Sequence, residues 1–243
     1  MARSSSGLGR RPLKAEITSS NLVRATKPSQ ALRGLFSYST TGVVQETDSK
    51  GRDMDATLWV LGSAGWMPQA GQETSCFLLE AGEHLIMLDA GTGVANLDLA
   101  AEVLARHDCL SVLLSHYHLD HVVGLMYLKR FAAGKRVDVY GPGRPVYPKT
   151  TEEYAGDLLQ SALYSSGSSG FAREVRYHDY GGRDFDVCGL PVAVRPQIHS
   201  SPSFELRVGD LVTYATDTSF DPAAWKDCVH SRLLLHECWQ VGA

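Results

Sequence analysis

Three histidines and one aspartate occur within six positions, directly after the apolar run at residues 110–114. Residues 116–121 read HYHLDH. Side chains of a strand alternate between its two faces, so a strand through residue 115 followed by a turn places His116 and His118 on one side. Asp120 and His121 then fall at the turn into the next helix. This cluster predicts a metal site.

Other polar residues stand where further apolar runs stop. Asp89 follows residues 85–88, His199 follows residues 190–198 and Asp217 follows residues 211–216. Each residue alone is typical of a turn or a helix cap. Loops at the ends of strands often carry chemistry on a rigid scaffold. Together with the histidine cluster, the three positions indicate one shared site.

The types of ligand narrow the choice of metal. Neutral imidazole and carboxylate groups suit zinc, manganese or ferrous iron, whereas closed structural sites are often rich in thiolates. We therefore predict a zinc site, with manganese or iron as the alternatives.

These residues resemble those of the metallo-β-lactamase fold superfamily of metal-dependent hydrolases. The matching segments span most of residues 56–239 and follow the same order along the chain. They are residues 88–93, the cluster at 116–121, His199 and residues 214–218. The resemblance implies an α/β (α+β) fold, a four-layer αββα sandwich in which two sheets lie between helices.

The resemblance also assigns metal ligands. It implies that His116, His118 and His199 hold one ion, and that Asp217 bridges this ion and a second one.

The same resemblance places Asp120 and His121 at the second ion. Asp89 would orient a ligand through a hydrogen bond without touching the metal.

Such a ligand set predicts hydrolysis by a metal-bound hydroxide. Two divalent cations about 3.5–4 Å apart can hold a bridging hydroxide and lower the pKa of water from about 15.7 towards about 7. A free carboxylate oxygen of Asp120 could orient or deprotonate the attacking water. Pure metal ligation is the alternative role of Asp120.

Finer features resemble the ribonuclease Z-like phosphodiesterase branch. They are the glycine turn at residues 61–68, the following segment 74–79, the loop at 199–204 and the segment 233–239. The last of these is similar to a His-Glu-Ala-Thr segment in its first two letters, His236 and Glu237. The resemblance implies a phosphodiesterase or a transfer-RNA-processing endonuclease, with Asp120, His236 and Glu237 as catalytic residues.

Two departures from this branch widen the range of expected substrates. The chain has no long insertion rich in Gly, Pro and Lys of the kind that grips transfer RNA, and its formal net charge is -4. A negative chain offers no global attraction to a phosphate backbone, although a local patch could. A small phosphodiester is therefore an alternative to RNA, and a thioester or lactone hydrolase is a second alternative.

The C-terminal part of the sequence departs most from the superfamily. The superfamily's last metal ligand is a histidine beyond the segment at His236, and the sequence ends at Ala243. We expect a domain at residues 56–243 that lacks its last strand and helix. The second ion would then be weakly held, or a homodimer partner would complete it. A catalytically impaired metal-binding protein is the remaining alternative.

Composition fits one globular domain. Hydrophobic residues make up 44% of the chain, and no apolar run reaches the about 18 residues that span a bilayer, so we expect no membrane partner. The five cysteines lack any Cys-x-x-Cys pair, which is typical of reduced thiols in the cytoplasm.

Residues 1–55 differ from the rest of the chain. They are rich in Arg, Lys and Ser, and Glu16 is the only acid before Glu46. This composition is typical of a mitochondrial or plastid transit peptide, and a disordered extension is the alternative. We expect little packed structure before Asp55.

Periodicity predicts alternating strands and helices over the domain. Helices are expected at 95–107, from an Asp120 cap to Phe131, and at 151–164. Strands are expected at 56–61, 74–80, 84–88, 110–115, 137–140, 172–178, 190–198, 203–208, 211–216 and 232–236, with a hairpin turn at Gly209-Asp210.

Overall fold

The computed structural model describes residues 41–47, 53–160, 172–219 and 231–237, which form two sheets. The first sheet has seven strands in chain order: β1 (Thr41–Thr47), β2 (Asp53–Gly62), β3 (Cys76–Ala81), β4 (His84–Leu88), β5 (Cys109–Leu113), β6 (Arg136–Gly141) and β7 (Glu174–Asp179). The second has the order β12-β11-β10-β9-β8, from β8 (Phe185–Val187), β9 (Leu190–Gln197), β10 (Ser203–Val208), β11 (Val212–Ala215) and β12 (Leu233–His236).

Short helical segments connect the strands of the first sheet. The α-helices are α1 (Ala101–Arg106), α2 (Leu119–Val122) and α3 (Thr151–Leu159), and the 3-10 segments are Thr92–Ala100, Val123–Met126 and Leu128–Arg130. Thr150 and Glu153 form a capping box at the start of α3. Within the described ranges, no helix is long and apolar enough to cross a membrane.

The central strands β3, β4 and β5 of the first sheet are buried on both faces, and their alternate side chains fill two cores. Leu78, Met87 and Val112 pack on the side that faces the helices. Phe77 and Ile86 point the other way and pack against the second sheet. This double burial explains why β3, β4 and β5 are almost wholly apolar in sequence.

Three layers of the expected sandwich are described: helices, the first sheet and the second sheet. The helices pack against strands of the first sheet. The fourth layer would cover the outer face of the second sheet, and no helix among the described residues does so. That part of the expectation lies outside the described ranges.

Strand prediction from the sequence was accurate within the domain. The structure gives β4 and β10 the predicted bounds, and it closes β10 and β11 as a hairpin through Gly209, whose φ is 54°. Two strands were not predicted. The short β8 was missed, and β1 pairs with β2 where little packed structure was expected before Asp55.

The predicted helix from Asp120 to Phe131 was wrong in its cap and its continuity. His118 occupies the position before α2, and Asp120 lies in the first turn. The α-helix ends at Val122 because neighbouring backbone groups bond elsewhere: the Gly124 N–H donates to the Ala90 carbonyl at 2.7 Å. A Cβ at Gly124 would meet the Gly91 carbonyl oxygen at 2.1 Å, so only glycine permits this approach.

The central core generates a stability prediction. Leu78 is 0% exposed, so Leu78→Ala should lower the free energy of unfolding by about 2–5 kcal/mol, through lost burial and the cavity left behind. Leu99 is 46% exposed, and Leu99→Ala should change it by no more than about 0.5 kcal/mol. Urea denaturation of both variants measures the difference, and equal losses would contradict the assignment of the core.

Candidate metal centre

The predicted site residues lie on loops at one end of the two sheets. Asp89 follows β4, residues 114–121 follow β5, His199 follows β9 and Asp217 follows β11. The strand β5 ends at Leu113, so His116 and His118 belong to the loop and not to a strand extension. They still converge, with ring centroids 4.6 Å apart. Loop geometry, and not strand alternation, therefore brings them together.

Four of the predicted ligands form one group. One ligand atom from each of His116, His118, His199 and Asp217 lies within 4.8 Å of all the others. His199 Nε2 is 3.1 Å from His118 Nδ1, and Asp217 Oδ2 is 3.7 Å from the Nε2 atoms of His116 and His199. Ligand atoms that bind one zinc ion at about 2.0–2.2 Å are at most about 4.4 Å apart. The three distances given above lie within this limit and fit such an ion.

A second group contains Asp120, His121 and Asp217. His121 Nε2 lies 3.3 Å from Asp120 Oδ2 and 3.2 Å from Asp217 Oδ1. Asp217 therefore directs Oδ1 to this group and Oδ2 to the first. This is the arrangement of a carboxylate placed between two cation positions.

Two buried nitrogens test whether metal ions fit the site. His116 Nε2 and His121 Nε2 are buried and have no hydrogen-bond partner among the described residues. Buried polar atoms are almost always satisfied, so both require an account. Each nitrogen points towards carboxylate oxygens at 3.2–3.7 Å, with no hydrogen-bond geometry between them. Coordination to a cation would satisfy both, and the donor set fits divalent metals.

Asp89 orients the two buried histidines of the centre through hydrogen bonds. Its carboxylate is 0% exposed, and Oδ2 lies 2.7 Å from His121 Nδ1. The Ser115 N–H donates to Oδ1, while the hydroxyls of Ser115 and Tyr214 donate to Oδ2, all at 2.7 Å. Ser115 Oγ also lies 3.0 Å from His116 Nδ1. One carboxylate thus orients His121 directly and His116 through Ser115.

The pKa values of the two buried histidines, His116 and His121, shift in opposite directions. Burial and the neighbouring His121 lower the pKa of His116 to about 3, so this imidazole is neutral at pH 7, as a metal ligand must be. Burial would also lower the pKa of His121, but Asp89, Asp120 and Asp217 raise it well above its ordinary value. The carboxylates therefore make this position favourable for positive charge.

His121 lowers the pKa values of Asp217 and Asp120. Burial would raise the pKa of Asp217, but the close contact with His121 and its charge hold that pKa well below its usual value. The pKa of Asp120 is lowered against burial by His121 and by the Trp66 N–H, which donates to Oδ2 at 2.8 Å. Both side chains are carboxylates at neutral pH, the form that binds cations.

His236 and Glu237, predicted to be catalytic, belong to neither ligand group. His236 Nδ1 lies 2.6 Å from the Glu237 carbonyl oxygen. The Glu237 side chain accepts a hydrogen bond from the Thr218 N–H and so fixes the loop that carries Asp217. Their catalytic roles stay a prediction.

Several contributors to the centre were missed at the sequence level. They are Trp66, Ser115, Ser201 and Tyr214, and each acts through a hydrogen bond to another site residue. The position of Ser115 beside His116 was an available signal. Trp66, Ser201 and Tyr214 lie far along the chain from the residues that they contact, and no sequence spacing connects them to those partners.

The fold and the centre define the class of the protein. Two facing sheets, with histidines and aspartates at the strand ends, make a metallo-β-lactamase fold, as the sequence resemblance implied. A profile of the family described as "Anti-Pycsar protein Apyc1" matches residues 56–242, and the chain belongs to this family.

Two similar proteins match more than two thirds of this chain, and a third matches a shorter part. "Probable metallo-hydrolase YhfI" from Bacillus subtilis (strain 168) is 26% identical over 183 residues, 74% of this chain and 70% of that protein. "Anti-Pycsar protein Apyc1" from Paenibacillus sp. (strain J14) is 26% identical over 171 residues, 68% and 69% of the two chains. "Ribonuclease Z" from Methanopyrus kandleri is 32% identical over 93 residues, 37% and 33%.

Solved structures support the fold. The crystal structure of YhfI aligns with a TM-score of 0.50 and 18% identity, covering 71% of this chain and 66% of that one. A structure titled as a new diphosphatase from the PhnP family aligns with a TM-score of 0.50 and 20% identity, covering 74% and 72%.

The hydrogen bonds of Asp89 generate a prediction. Asp89→Asn keeps the size of the side chain but removes the charge that orients His121, so zinc affinity should fall about 10- to 100-fold. Asp98, paired with Arg130 on the surface, provides the matched control Asp98→Asn, which should bind like the unmodified protein. Competition with a chromophoric chelator measures both. Equal affinities in the two variants would contradict the role of Asp89.

Proposed function

We propose that this protein is a metal-dependent hydrolase that cleaves phosphodiesters, and that zinc is its metal. One observation carries the proposal: the two ligand groups share Asp217, whose oxygens face different groups. Relatives support the reaction class, since one is named a probable metallo-hydrolase and another ribonuclease Z. The diphosphatase title of a structural neighbour is also consistent with phosphate chemistry.

His116, His118, His199 and Asp217 would hold one ion, and Asp120, His121 and Asp217 the second. Bound divalent ions supply Lewis acidity, which activates water and stabilises negative charge on the substrate. Manganese and ferrous iron suit the same nitrogen and oxygen ligands.

Asp120 has a further role in this proposal. Oδ2 of Asp120 accepts from the Trp66 N–H and faces His121 Nε2, so Oδ1 would be the oxygen that takes a proton from the attacking water. Glu237 keeps the Asp217 loop in place through the Thr218 N–H. The protein thus orients one carboxylate for proton transfer and fixes another between the two ligand groups.

Three exposed apolar residues are next to ligands in the chain or bonded to one through the backbone, and their side chains would contact the substrate. Leu119 stands between His118 and Asp120 and is 64% exposed, and Ile198 precedes His199. Trp66, whose N–H binds Asp120, is 72% exposed. Exposed apolar groups beside a polar site are typical of a surface that binds a ligand. We therefore infer a phosphodiester that carries an apolar or aromatic group.

The reaction class is tested with the full chain and three chromogenic substrates: bis(p-nitrophenyl) phosphate, a thioester and a lactone. We expect hydrolysis of the phosphodiester, loss of activity on removal of metal by a chelator, and recovery with zinc. Asp217→Asn should reduce activity more than about 100-fold, beyond the usual cost of losing an outer partner. Asp98→Asn is the matched control.

Hydrolysis of the thioester or the lactone alone would contradict the phosphodiester proposal and leave a metallo-hydrolase. Activity that resists the chelator would contradict metal dependence. A parallel assay with a transfer-RNA precursor separates an RNA-processing enzyme from one that acts on small esters.

The exposed indole generates its own prediction. Trp66→Ala retains the backbone N–H that binds Asp120 but removes the aromatic surface. It should raise KM for bis(p-nitrophenyl) phosphate about 5- to 100-fold, the equivalent of about 1–3 kcal/mol of ring stacking. KM for methyl p-nitrophenyl phosphate, which has the same leaving group and one ring fewer, should rise much less. Equal increases for both esters would argue against a stacking role.

A further inference from the structure

Three histidines of the centre have their second ring nitrogen held by a neighbour. His121 Nδ1 bonds to Asp89 at 2.7 Å, and His116 Nδ1 lies 3.0 Å from Ser115 Oγ. His118 is oriented the other way. Its Nδ1 faces His199 Nε2 at 3.1 Å, and its Nε2 lies 2.8 Å from Ser201 Oγ. The support of His118 therefore does not come from Asp89.

The orientation of His118 determines which tautomer suits metal binding. A nitrogen that binds metal carries no proton, and Nδ1 is the nitrogen that faces the other ligands. In a ring that binds metal through Nδ1, the proton would lie on Nε2, where Ser201 Oγ at 2.8 Å can accept it. Without an acceptor at this place, the ring could rotate or carry its proton on Nδ1.

We propose that Ser201 is a positioning residue that fixes the tautomer and ring orientation of His118 for metal binding. The inference rests on the proposed metal-dependent function, because it concerns how one ligand of that site is prepared. Outer hydrogen-bond partners of metal-binding histidines commonly contribute about 10- to 100-fold in metal affinity.

The loop that carries Ser201 is itself anchored on both sides. The Tyr147 hydroxyl donates to the Pro202 carbonyl at 2.6 Å, and the Phe204 N–H donates to the Ser115 carbonyl at 3.2 Å. Tyr147 also packs edge-on against Tyr117, at 4.8 Å between centroids, and Tyr117 lies between His116 and His118 in the chain. Ser201 is thus fixed relative to the ring it supports.

The test compares zinc and cobalt binding by the full chain and three serine variants. Ser201→Ala should weaken the affinity about 10- to 100-fold and alter the visible spectrum of bound Co²⁺, because a nitrogen ligand is displaced. Ser201→Thr keeps the hydroxyl and should restore affinity and spectrum. Ser200 is exposed and forms no hydrogen bond among the described residues, so Ser200→Ala is the matched control.

Tyr147→Phe tests the hydrogen bond to Pro202 that anchors the loop carrying Ser201. It should weaken binding in the same direction as Ser201→Ala but less, and the double variant should lose less than the sum of both, because the two residues act through one loop. The melting temperature of each protein without metal identifies variants that simply fail to fold.

The outcomes separate this inference from the proposed function. If the unmodified protein binds metal and Ser201→Ala binds it equally well, the positioning role is wrong and the hydrolase proposal stands. A variant that loses melting temperature without metal but retains affinity also overturns the role. If the unmodified protein binds neither ion, both proposals fail.

Discussion

The buried carboxylate of Asp89 is the interaction on which the centre depends. It accepts hydrogen bonds from Ser115 and Tyr214 and contacts His121, so it connects β4, the histidine loop and β11 at one point. A buried charge is costly unless it is fully hydrogen-bonded, and here four contacts satisfy it. Its backbone has a φ of 52°, a conformation that aspartate tolerates better than most residues. The turn after β4 therefore orients a group from each sheet.

Close backbone contacts beneath the site explain why its helices are short. The carbonyls of Ala90 and His121 pair with N–H groups across the Asp89 turn and the histidine loop, and not with partners in a regular helix. A Cβ at Gly91 would lie 2.3 Å from the Asp120 carbonyl oxygen. The loop that carries Asp120 and His121 is therefore held against the first sheet by its backbone. Rigid support of this kind keeps ligands in place before a metal arrives.

The sequence predicted the strands well because apolar runs such as residues 84–88 report burial directly, residue by residue. It also predicted the residues that the structure gathers into the two candidate ligand groups, since imidazoles and carboxylates at strand ends are uncommon in that combination. It failed for the helix after Asp120, where tertiary hydrogen bonds to Ala90 override local preference. It could not find Ser201 or Tyr214 either. Their roles depend on contacts across 83 and 125 positions, and neither residue type has a pattern that reveals a partner at such a distance.

The ligand groups draw on both sheets. His116, His118, Asp120 and His121 are attached to the first sheet, whereas His199 and Asp217 extend from the second. An ion shared by these side chains would act as a cross-link between the halves of the sandwich, next to the apolar interface that already joins them. Whatever binds the folded chain alone adds its binding free energy to folding. Metal supply would then set the resistance of this protein to unfolding and proteolysis as well as its activity.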